Sequence, residues 1–109
     1  MRLTLRIDID DNHQLGPGKA RLLELIAEHG SITAAGRAMG MSYRRAWLLI
    51  DDLNTMFDAR LVETRPGGAG GGGATLTDRG SEVLAAYRRI EAHAASAPDL
   101  AALQAHKAP

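Results

Sequence analysis

Two glycines, Gly30 and Gly40, each stand just ahead of a serine and cut residues 19–57 into three short stretches of helical periodicity. Glycine accepts the left-handed conformation that closes a helix, and the serine that follows can cap the next one. Within 19–29, Leu22, Leu23, Leu25 and Ile26 form an apolar stripe. A shorter second helix is predicted over 32–39 and a third over 43–57, with Ser31 and Ser42 as N-caps. Ala34, Ala35 and Gly36 put small residues where the third helix would cross the second at a steep angle. So tight a junction leaves the chain few packing solutions.

The rest of the sequence supplies what packs around that junction. A strand is predicted over 61–64, and 74–76 can return beside it. Between them, residues 67–73 contain six glycines in seven positions, which rules out regular structure. Thr77 can cap a fourth helix over 78–96, where Val83, Leu84, Tyr87 and Ile90 fall at helical spacing. Pro98 interrupts it, and the tail is one more helical piece or a frayed end. At the start, Leu3, Leu5, Ile7 and Ile9 alternate with polar residues as in a half-buried strand. Asp10-Asp11-Asn12 closes that strand, and Gly16-Pro17-Gly18 marks a turn. The order is strand, three helices, hairpin, helix. It predicts one mostly α domain over 1–109 with a small β hairpin, on the winged helix-turn-helix plan. The helix-turn-helix would occupy about 31–57, the wing about 61–77 and a C-terminal dimerisation helix about 78–96.

Composition narrows the class. Apolar residues are 45% of the chain, enough for one core, but aromatics are only 4%, so aliphatic side chains must build it. The absence of cysteine excludes a disulfide scaffold and a thiolate metal site. The N-terminus lacks a signal peptide's apolar run, and nothing approaches the roughly 20 apolar residues of a membrane span. A cytoplasmic location is expected. Net charge is zero, from 13 Lys+Arg and 13 Asp+Glu. That weighs against nucleic-acid binding, which draws on a basic surface. The layout is uneven, however: Asp8, Asp10 and Asp11 cluster near the start, and Arg37, Arg44, Arg45, Arg65 and Arg79 lie in the middle.

On the third helix, Ala46, Ile50, Leu53 and Phe57 share the face expected to meet the core, and Arg44, Leu48, Asp51 and Thr55 lie opposite. The first turn carries Ser42, Tyr43, Arg44 and Arg45, with Thr33 on the preceding helix. In a helix-turn-helix that turn enters the major groove, where arginine can bind guanine edges or phosphate. Trp47 is expected in the core. A solvated arginine pair on an ordinary three-helix bundle is the plainer alternative. The glycine run lacks the lysine of a phosphate-binding loop. It suits a wing tip, with Gly68, Gly70 and Gly71 approaching the DNA backbone and Arg65 and Arg79 flanking them, or else a linker without contacts. His13, His29, His93 and His106 do not pair at helical spacing, and no nucleophile–base pair assembles. No metal site, no cofactor and no enzymatic activity are expected. Asp51-Asp52 reads as a solvated edge or part of a dimer contact.

Ser42-Tyr43-x-x-Ala46-Trp47, then Leu61-Val62-Glu63, Gly67-Gly68-x-Gly70-Gly71-Gly72-Gly73-Ala74, Leu76-Thr77-x-x-Gly80 and Tyr87 together resemble the DNA-binding domain of the ModE family of molybdate-responsive transcriptional regulators. Gly30-Ser31-Ile32 and Ala34-Ala35 more loosely resemble the LysR-type helix-turn-helix. The resemblance covers about residues 3–92. It implies a homodimer on a palindromic operator in double-stranded DNA, with targets linked to molybdenum metabolism. The dimer surface is expected to use Leu22, Leu25 and Ile26 on the first helix and Leu84, Tyr87 and Ile90 on the fourth, although some of these six must belong to the core. No Mop-type molybdate-binding domain is expected within 109 residues, so molybdate binding by this chain is not expected. Two other readings remain: a DNA-free module that pairs with a full-length regulator, and an oxyanion sensor using glycine amides.

Overall fold

The computed structural model describes residues 1–67 and 72–109. Strand β1 (Ile7–Asp8) pairs antiparallel with β2 (Gln14–Leu15), Ile7 opposite Leu15. Helices α1 (Pro17–His29), α2 (Ile32–Ala38) and α3 (Tyr43–Met56) follow. Strands β3 (Val62–Thr64) and β4 (Ala74–Leu76) form a second antiparallel pair, with Val62 opposite Leu76 and Thr64 opposite Ala74. Helices α4 (Asp78–Ala95) and α5 (Pro98–Ala105) complete the order. The chain is a small, mostly helical unit with two two-stranded sheets.

The helix boundaries have local causes. Ser31 Oγ accepts the Ala34 N–H at 3.2 Å, and Ser42 Oγ accepts the Arg45 N–H at 3.1 Å. Thr77 Oγ1 accepts the Gly80 N–H at 3.0 Å. Each such cap satisfies a backbone donor that the helix itself leaves open, and contributes about 1 kcal/mol. Gly30 and Gly40 both adopt φ of 69°, the left-handed geometry that the sequence required of them. Small residues then let α2 and α3 approach: a Cβ on Gly36 would sit 3.1 Å from the Ala46 Cβ.

The core lies among α1, α2, α3, the β3–β4 hairpin and the middle of α4. Leu22, Leu23, Ile26, Ile50, Leu53, Leu61, Val62 and Tyr87 are its largest fully buried side chains. Tyr87 keeps its hydroxyl satisfied by donating to the Leu5 carbonyl at 2.7 Å, which ties the N-terminal segment to α4. Burial raises the pKa of that phenol.

Several expectations need correction. The period-two run at 3–9 forms a paired strand only at Ile7–Asp8, because its partner β2 is just two residues long. Gly16-Pro17-Gly18 is not a free turn. Gly16 is the extended N-cap and Pro17 the first residue of α1, where a missing N–H costs nothing. Met56, not Phe57, completes the buried face of α3, and Phe57 is only half-buried at the C-cap. Leu22, Leu25, Ile26 and Tyr87, expected at a dimer surface, fill the subunit's own core instead. Leu84 is half-buried and Ile90 exposed. Asp52 is no solvated edge: it is half-buried and ion-paired with Lys19, while Asp51 is exposed.

Candidate nucleic-acid interface

Helix α3 presents four distinct faces, because successive residues point about 100° apart. Ala46, Ile50 and Leu53 face the core. Tyr43 and Trp47 turn toward the β3–β4 hairpin, their rings edge to face with centroids 6.1 Å apart. Arg45 and Leu49 line the opposite flank, beside Thr4, Arg6 and Met41. Arg44, Leu48, Asp51 and Thr55 point outward and are exposed.

The cap at Ser42 commits its hydroxyl to the Arg45 N–H, so Ser42 sets where α3 begins. The start of a helix carries partial positive charge and favours anions. A cleft of about 430 Å³ opens beside this turn. Its walls are Ile32 and Thr33 of α2, Tyr43 and Trp47 of α3, and Thr64, Arg65, Gly67, Gly72 and Gly73 of the hairpin. Trp47 is thus half-buried, with part of its ring in the cleft wall and part against the core, rather than the core residue expected.

The hairpin is held in place by main-chain and amide contacts. The Arg65 N–H donates to the Gly73 carbonyl at 2.8 Å, and the Ala74 N–H donates to the Gly30 carbonyl at 2.9 Å. Asn54, near the end of α3, does more. Its Oδ1 accepts the N–H groups of Leu61 and Val62 at 2.9 Å each, and its Nδ2 donates to the Val62 carbonyl at 3.2 Å. One side chain therefore fixes the angle between α3 and β3. Nothing in the sequence singled out Asn54, since an asparagine near a helix end has no distinctive pattern.

Arg88 bridges Glu24 and Glu91 at 2.6 Å each, and Lys19 pairs with Asp52. Arg79, expected to flank the hairpin tip, instead donates to Glu82 at 2.9 Å and to Asp58 at 3.1 Å. Its charge is committed at the start of α4, and it does not line the cleft. Among the described residues, Arg37, Arg44, Arg45 and Arg65 around the start of α3 have no carboxylate partner, and neither have Arg2, Arg60 and Arg89 elsewhere. Arg37 lies beside Thr33, Gly72 and Gly73, and belongs with this group although sequence reasoning used it only in the charge layout. A chain of zero net charge thus keeps a local set of unpaired cations around one helix start. Gly68, Gly70 and Gly71, expected at the hairpin tip, lie outside the described residues.

Residues 18–81 match the family described as bacterial regulatory helix-turn-helix protein, lysR family. The match runs from the start of α1 to the first turn of α4 and so takes in the whole cleft. Molybdenum-pterin-binding protein MopA of Rhodobacter capsulatus is 42% identical over 78 residues, 72% of this chain and 29% of that protein. Molybdenum transport protein ModE of Azotobacter vinelandii is 39% identical over 95 residues, 87% of this chain and 35% of that protein. The DNA-binding transcriptional dual regulator ModE of Escherichia coli is 41% identical over 71 residues, 65% of this chain and 27% of that protein. The similarity is to the N-terminal region of such proteins, and the chain spans about a third or less of their length.

Proposed function

Because this chain belongs to the lysR family of bacterial regulatory helix-turn-helix proteins, a family of regulators rather than enzymes, we propose that it is a sequence-specific, double-stranded DNA-binding regulator of the ModE-like type. In this reading α3 is the recognition helix and the β3–β4 hairpin is the wing. The first turn of α3 enters the major groove, with Arg44 and Arg45 on base edges or phosphates and Tyr43 toward the backbone. Thr33, Arg37 and Arg65 hold the flanking phosphates across the cleft. The observation that carries the reading is a capped helix start with Arg37, Arg44, Arg45 and Arg65 around it, none of them paired with a carboxylate. Molybdenum appears in the names of the relatives, which makes molybdenum-linked genes the first targets to examine.

A homodimer on a palindromic operator accompanies this proposal. With Leu22, Leu25, Ile26 and Tyr87 enclosed in the subunit, the dimer surface falls to the outer side of α4 and to α5. Ile90 is 44% and Leu103 59% exposed there, Leu84 is half-buried beside them, and α5 has no buried residue. Two recognition helices would then lie about 34 Å apart, one turn of DNA. No helix among the described residues is long and apolar enough to cross a membrane, consistent with action on DNA.

The test is a gel shift at two salt concentrations, with gel filtration alongside. Arg44→Ala combined with Arg45→Ala should abolish operator binding and leave the oligomeric state unchanged. Wild-type binding should fall steeply with salt, as phosphate contacts require. Full affinity in the double variant would refute the assignment. A wild-type dimer that shifts no duplex would favour the DNA-free interaction module instead.

A further inference from the structure

Helix α3 exposes a large aliphatic side chain where a solvated helix face would carry a polar one. Leu48 is 57% exposed, one turn beyond Arg44, on the outward face shared with Asp51 and Thr55. A lone exposed leucine is ordinary on a protein surface. This one is not free to be ordinary if the start of α3 occupies a major groove. Residues four apart on a helix are about 6 Å apart along its axis and share a face. The groove is about 12 Å wide and about 8.5 Å deep. A pose that lays this face of α3 along the groove brings Arg44 to a base edge and buries Leu48 against the base pairs as well.

The chemistry of the covering edge is then constrained. Guanine, adenine and cytosine present hydrogen-bonding atoms in the major groove, and only thymine adds an apolar group, its C5-methyl. An aliphatic side chain pressed on a donor or acceptor would strip it of water and leave it unpaired, which is unfavourable. The same side chain on a methyl gains contact and buries apolar surface. We propose that Leu48 is a specificity-determining residue that reads a thymine methyl, about two base pairs from the base engaged by Arg44. The assignment rests on the DNA-binding reading above and sharpens it by naming a base and the residue that selects it.

The probe is duplex DNA enriched from a random-sequence library by the full chain. Each thymine of the enriched duplex is then replaced singly by deoxyuridine, which removes the methyl and keeps the base pairing and O4. For wild type, one thymine per half-site should weaken binding about four-fold on losing its methyl. Leu48→Ala should bind the thymine and deoxyuridine duplexes equally and keep the wild-type salt dependence. Alanine is at least as good a helix former as leucine, so this exposed substitution leaves α3 intact, and far-UV circular dichroism checks it. A wild-type protein indifferent to every replacement would overturn the proposal. So would a Leu48→Ala variant that discriminates as wild type does. Enrichment of no duplex at all would instead refute the DNA-binding reading itself.

Discussion

Replacing a helical glycine by alanine normally stabilises a protein, and at Gly80 the reverse is expected. Gly80 is buried in the first turn of α4, against β3. A Cβ built there would collide with the carbonyl oxygen of Leu61, a backbone atom that no rotamer change can move. The same oxygen accepts the Thr77 N–H at 2.9 Å, and Thr77 Oγ1 donates to the Arg60 carbonyl at 2.6 Å. Relief requires α4 to back away from β3, loosening both bonds and opening the core at Leu61 and Val62. Overpacking costs about 1–3 kcal/mol, and each weakened hydrogen bond about 0.5–1.5 kcal/mol. The gain in helix propensity is about 1 kcal/mol. Gly80→Ala should therefore destabilise by about 1–5 kcal/mol net, a fall in Tm of about 4–20 °C at about 4 °C per kcal/mol. Gly18 provides the control. It also lies in a first helical turn, in α1, and a Cβ there meets no atom within 4 Å. Gly18→Ala should stabilise by about 0.5–1 kcal/mol. Thermal and urea unfolding followed by circular dichroism measure both. If the two variants shift Tm in the same direction, the packing argument is wrong.

Other consequences concern the hairpin and the ion pairs. Asn54→Ala leaves the Leu61 and Val62 N–H groups without their acceptor, so it should cost about 1–3 kcal/mol in urea unfolding. It should also weaken DNA binding more than an exposed substitution of similar stability cost, because the hairpin loses its anchor to α3. The Arg88 guanidinium holds the Glu24 carboxyl below its usual 4.5. A depressed folded pKa means that the stabilisation is fully present above the unfolded pKa and lost as the pH falls through the folded one. Wild type should thus exceed Glu24→Gln by about 0.5–1 kcal/mol near neutrality, with the gap closing in acid; a gap that persists at low pH would contradict the pairing.

Local chemistry was readable and long-range pairing was not. Ser31, Ser42 and Thr77 announce helix starts because a cap depends on neighbours three residues away. Gly30 and Gly40 announce ends for the same reason. The apolar stripe of α1 was equally visible, but periodicity does not say what covers a stripe. The stripe alone leaves open how Leu22, Leu25 and Ile26 divide between core and dimer surface, and all three lie in the core of the same chain. Of Arg79's two partners, Glu82 at i+3 is legible in the sequence, whereas Asp58, 21 positions back, is not. Glu24 and Arg88, 64 positions apart, carry no mark of their pairing. Asn54 shows the same limit from the functional side: it becomes conspicuous only once β3 is folded beside it. The split of Arg44 and Arg45 onto different flanks does follow from helical geometry, and the structure adds what each flank faces.

The central claim is that DNA meets the start of α3 and the hairpin beside it. Its most direct test is the map of backbone amide NMR shifts as an enriched duplex is titrated into the full chain. The largest changes should fall on residues 42–48, with weaker ones at Thr33, Arg37, 64–67 and 72–73, and little at α5. Changes concentrated on α4 and α5, with the amides of Tyr43, Arg44 and Arg45 undisturbed, would contradict it.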